Sequence, residues 1–84
     1  MPEEEVGRVS DYFAKIGVAG IDLTGTLSVG DTIHIVGHTT DLTLVVESME
    51  IEHEKVQTAH AGQSIGTKFT DRARKNDRVY KVVE

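Results

Sequence analysis

Leu27-Ser28-Val29-Gly30-Asp31-Thr32-Ile33-His34-Ile35-Val36-Gly37 reads as turn, strand, turn within eleven residues. Gly30 is the residue type that takes positive φ without a steric penalty, so Gly30-Asp31 marks a turn. Ile33 and Ile35 then alternate with Thr32 and His34 at the period of a strand with one buried face. Gly37 closes the run.

The same punctuation recurs on both sides. Valine, isoleucine and threonine are abundant, no segment keeps a 3.6-residue apolar period, and turn signals separate short apolar runs. Strands are expected over residues 6–13, 16–23, 32–36, 42–54, 64–69 and 78–83. Along residues 42–54 the apolar phase changes: Leu42, Leu44 and Val46 share one parity, Met49 and Ile51 the other. A β-bulge near Glu47-Ser48 would return both sets to the core. In an extended chain Tyr12 and Phe13 point to opposite faces, so one of them should be at least partly exposed. The expected fold is all-β, a small closed six-stranded antiparallel Greek-key barrel, because closure removes exposed sheet edges. Residues 1–5 read as an acidic tail and residues 6–84 as one domain.

Composition narrows the function. The chain has 84 residues, enough for one core. It contains no cysteine, which excludes disulfides, thiolate zinc sites and cysteine nucleophiles and fits a reducing, cytoplasmic setting. No run approaches the roughly 18 apolar residues of a membrane span, and no apolar signal segment follows Met1. The net charge of −5 is unevenly spread. Residues 1–54 hold eleven acids against Arg8 and Lys15, whereas residues 55–84 hold seven bases against three acids. Lys68, Arg72, Arg74, Lys75, Arg78 and Lys81 fall within fourteen residues and form the candidate binding surface, with Tyr80 beside them as a possible stacking partner or core residue. Such a run reads either as a solvated loop and strand or as a footprint for phosphates or an acidic protein face.

Other side chains offer less. His34 and His38 are four apart, which in an extended strand is roughly 13 Å and too far for shared metal coordination unless the following loop folds back. His53 and His60 flank another loop, so surface or turn positions are expected for the histidines. Ser10, Ser28, Ser48 and Ser64 lack a nucleophile-elbow context. Glu50, Glu52 and Glu54 would share a strand face, where like charges favour a solvated edge over paired catalytic carboxylates. Gly62-Gln63-Ser64-Ile65-Gly66-Thr67-Lys68 has glycines and a lysine but not the adjacent Gly-Lys of a phosphate-binding loop, so no GTP site, no metal and no cofactor is expected.

Val29-Gly30-Asp31 after Leu27, together with Gly7-Arg8-Val9, Ala19-Gly20-Ile21, Val45 with Ser48-Met49, Ala61-Gly62-Gln63-Ser64-Ile65-Gly66 and Asp77-Arg78-Val79-Tyr80, resembles the second-domain β-barrel of translation factors such as elongation factor Tu and the initiation factors. It also resembles short stand-alone translation-elongation-factor-like proteins. That resemblance implies a non-catalytic module binding RNA or a ribonucleoprotein (tRNA, rRNA or the ribosome) through the basic C-terminal residues. The Val29-Gly30-Asp31-Thr32-Ile33 stretch is also similar to the C-terminal barrel of collagenase-like peptidases, a group that includes RNA-modification proteins. This second resemblance implies a protein-interaction accessory with a larger protein partner.

Overall fold

Burial follows the expected alternation across the opening stretch: Ile33 and Ile35 are fully buried, Thr32 and His34 half-buried. Gly30 has φ 97°. The turn is closed on both sides, with Asp31 N–H donating to Ser28 C=O at 3.1 Å and Ser28 N–H donating to Asp31 Oδ2 at 2.9 Å. An aspartate after the glycine thus supplies the acceptor that the turn backbone needs.

The computed structural model describes residues 3–69 and 72–83. Ten strands follow in chain order: β1 Glu3–Phe13, β2 Val18–Leu23, β3 Leu27–Ser28, β4 Thr32–Val36, β5 Asp41–Val45, β6 Met49–Ile51, β7 Glu54–Val56, β8 Thr58–Ala59, β9 Ser64–Lys68 and β10 Arg78–Val82. Eight form one sheet in the order β5-β4-β10-β1-β2-β9-β6-β7, and β3 and β8 form a separate two-stranded ribbon. Every pairing is antiparallel.

The architecture is therefore all-β and antiparallel, but it is not the closed six-stranded barrel expected from the sequence. Two local events make the difference. The chain over residues 42–54 does not run as one bulged strand. It leaves the ladder between Val45 and Met49 and reverses at Glu52-His53, dividing into β5, β6 and β7. In addition, Leu27-Ser28 pairs with Thr58-Ala59 outside the main sheet. The sheet edges β5 and β7 consequently do not pair with each other. The β3 segment bridges the gap, with Val29 N–H donating to Gln57 C=O at 2.9 Å and Gly30 N–H donating to Val46 C=O at 2.8 Å.

With no helix among the described residues, the sheet buries its apolar face by bending around it. Val6, Val9, Ala19, Ile21, Ile33, Ile35, Val46, Met49 and Val79 are all at most 1% exposed, and Leu27 and Ala59 of the ribbon join the same core. The phase change is resolved as the sequence requires, since Leu44, Val46 and Met49 all face inward. Tyr12 packs on the core while Phe13 is 49% exposed. Glu3, Glu4 and Glu5 lie within β1, paired with Val82, Lys81 and Tyr80.

Candidate functional site

The structure disperses the six bases. Arg72, Arg74 and Lys75 are exposed on the loop before β10, and Arg78 opens β10 on its outer face, opposite Arg8. Lys81 shares the parity of buried Val79, and its Nζ lies 3.4 Å from the Thr26 carbonyl. Lys68 ends β9 opposite Val18, on a different part of the sheet. Arg72 and Arg74 line one shallow basin with Thr39–Leu42 and another with Asp11, Tyr12 and Ala14.

The basic loop itself is held in place. Arg74 N–H donates to buried Asp77 Oδ2 at 2.8 Å, Val9 N–H donates to the Asp77 carbonyl, and Asn76 N–H donates to the Val9 carbonyl. Asp77 fits only because residue 37 has no side chain: a Cβ on Gly37 would stand 1.9 Å from Asp77 Oδ1.

His34 is engaged by acids from two other strands. Its Nδ1 lies 2.8 Å from Glu3 Oε2 and its Nε2 lies 2.6 Å from Asp41 Oδ1. A ring that donates from both nitrogens is the imidazolium. The hydrogen bond to Asp41, and then that to Glu3, raise its pKa above the ordinary 6.5 against the smaller opposing effect of burial. Among the described residues no group of three or more His, Asp or Glu side chains is arranged to hold a metal ion.

A third concavity, with a more apolar lining, lies on the outer face of β1, β2, β9 and β6. Val18, Gly20 and Asp22 on β2 stand opposite Lys68, Gly66 and Ser64 on β9. The central pair is Gly20 and Gly66, so neither raises a side chain into the trough, and Ser10 Oγ stands over Gly20, 2.9 Å from where a Cβ there would be. Phe13 and Ile16 wall one side, the latter 65% exposed. Glu50, Glu52 and His53 wall the other, and Asp22 closes one end by accepting a 2.7 Å hydrogen bond from Ser64 Oγ. The open volume is about 390 Å³, at the lower end of the roughly 300–1,000 Å³ of ligand pockets.

The far wall is built by a β6–β7 turn with an unusual backbone. Glu52 and His53 have φ 50° and 68°, the mirror-image hairpin geometry that usually recruits Asn-Gly. Side chains other than glycine cost roughly 1–2 kcal/mol each in that region. The turn splits the three glutamates expected on one strand: Glu50 is on β6, Glu52 in the turn and Glu54 on β7. The sequence shows each of these residues but not their meeting, because the trough draws on segments from residue 10 to residue 66.

Comparison with known proteins overturns the translation-factor resemblance. The chain is 43% identical over 81 residues to an uncharacterised protease of Methanocaldococcus jannaschii, matching 95% of this chain and 20% of the relative. It is 35% identical over 78 residues to a collagenase of Porphyromonas gingivalis, matching 90% of this chain and 22% of the relative. The chain thus spans about a fifth of the length of these curated relatives. A crystal structure of the C-terminal domain of a Geobacillus thermoleovorans protein assigned as a U32 peptidase superposes with a TM-score of 0.89 at 22% identity, covering 95% of this chain and 93% of that one. No protein-family model matches the chain. These relatives are peptidase-type proteins, so the elongation-factor and RNA-binding assignments fall. The Gly-Asp turn and alternating isoleucines that suggested them are scaffold chemistry, which unrelated functions share.

Proposed function

We propose that this chain is a non-catalytic accessory domain that works with a peptidase-type catalytic unit lying outside it, and that it engages polypeptide on behalf of that unit. The observation carrying this reading is the asymmetry of the match: nearly all of this chain aligns with about a fifth of proteins named as a protease and a collagenase. A segment with its own continuous core is suited to be such a detachable part. The larger protein partner implied by the second sequence resemblance is, on this reading, the catalytic unit. The trough on the outer sheet face gives the domain a place to hold chain without contributing to bond cleavage.

The test is a segment exchange in the Porphyromonas gingivalis collagenase. Deleting its matched segment should lower hydrolysis of collagen while sparing a short peptide substrate, and grafting this chain in its place should restore at least part of the loss. This chain alone should cleave neither substrate. Cleavage by the isolated chain, or a deletion that changes nothing, would rule the proposal out.

A further inference from the structure

We propose that the Gly20–Gly66 trough binds an extended polypeptide segment in which basic residues alternate with apolar ones. The proposal names the partner chemistry for the accessory-domain reading and rests on it for its setting. Three features converge on this occupant. The floor is a cross-strand glycine pair, with Ser10 Oγ over Gly20 and only Val18 Cγ1 near Gly66, so a chain can lie close to the sheet backbone at Gly66 with a hydroxyl beside it. One wall is apolar and solvent-exposed, formed by Phe13 and Ile16. The other carries the carboxylates of Glu50 and Glu52, neither of which makes an ion pair among the described residues.

Charge sets the sign of the partner. Asp22, Glu50 and Glu52 line the trough and no lysine or arginine does. Lys68 and Lys55 flank it, opposite Val18 and Glu50 in the strand register, and Arg8 stands opposite Asp22. An incoming cation therefore meets three carboxylates, while an anion meets no lysine or arginine inside and His53 as the one basic side chain among the described lining residues. The dimensions also favour a peptide. A trough of about 390 Å³ seats a few side chains, the reach of a short extended segment.

The strained turn is an independent sign. Glu52 and His53 hold left-handed backbone at a position where Asn-Gly would relieve it, and the residues so held are the ones that reach the trough. Strain of this kind gathers where side-chain placement is needed for function.

The test uses the full chain and a fluorescent peptide of Lys-Leu repeats, with the Glu-Leu peptide as its counterpart, since period two keeps all lysines on one side of an extended chain. The lysine peptide should bind at least about tenfold more tightly, a difference of about 1.4 kcal/mol, and its amide NMR shifts should centre on Phe13, Gly20, Glu50 and Gly66. Gly66→Ala should raise the floor and weaken binding at least about tenfold while leaving the melting temperature near its original value, because a Cβ there meets only Val18 Cγ1 at 3.6 Å. E50K/E52K should weaken the lysine peptide and strengthen the glutamate peptide. Equal affinity for both peptides, shifts centred on the Arg72–Lys75 loop, or concentration-dependent shifts without peptide, which would signal a second copy in the trough, would each overturn the proposal. A bound peptide together with an unchanged collagenase deletion would leave the trough standing and remove only the accessory reading.

Discussion

Asp41 and His34 meet across the β4–β5 pair with 2.6 Å between Oδ1 and Nε2, and that contact makes His34 a doubly held cation rather than a free surface histidine. Glu3 completes the arrangement from β1 at 2.8 Å, reaching over β10. One imidazolium therefore ties together strands that the sheet places three positions apart.

The stability it contributes depends on pH in a definite direction. The folded-state pKa is raised, so the contribution is fully present below the unfolded value of about 6.5 and is lost as pH rises through the folded value. His34→Ala should cost about 1 kcal/mol near pH 5 and much less near pH 9, the modest size reflecting an exposed Asp41 partner. Urea unfolding of both proteins across that range checks this, and a cost that grows with pH would contradict it.

Gly37→Ala should be strongly destabilising. The new methyl collides with Asp77 Oδ1, and Asp77 cannot turn away without orphaning Arg74 N–H. A loss of about 2–3 kcal/mol is expected. Asp77→Ala in the same background should add little further loss, since both changes break one arrangement; a fully additive double variant would show that the contact is unimportant.

Relaxing the β6–β7 turn should do the opposite. Replacing Glu52-His53 with Asn-Gly should raise stability by about 1 kcal/mol, because both positions have positive φ. The same exchange removes a wall of the trough, so the lysine-peptide affinity should fall as the melting temperature rises. Thermal melts and peptide titrations on one preparation measure both.

Leu27→Ala should cost about 2–5 kcal/mol although β3 has only two residues, because its side chain is fully buried in the common core. A cost below about 1 kcal/mol would mean that the ribbon is peripheral.

Much of this fold can be read from residue order, and the exceptions have physical causes. Thr32–Val36 is a strand with the expected inward isoleucines, and Gly30 turns as its chemistry suggests, because both depend on neighbours a few residues away. Closure could not be read: nothing local says that Glu52 and His53 accept left-handed backbone, so β6 and β7 looked like the continuation of β5. The His34 clamp joins residues 31 and 7 positions apart. The trough depends on the register that sets Gly20 against Gly66, which no local pattern reports. A cluster of bases is conspicuous in sequence, yet alternation along β10 sends Arg78 and Lys81 to opposite faces.

The position of β10 has a consequence for synthesis on the ribosome. It is the last of the ten strands to emerge, yet it sits between β4 and β1. Until Arg78–Val82 leaves the exit tunnel, the β4–β5 hairpin and the β1–β2–β9–β6–β7 half are linked only through the β3 bridge, and β4 and β1 each present an open edge to other nascent chains. This strand acts as a keystone, so folding of the sheet waits on its emergence and is governed by one long-range insertion.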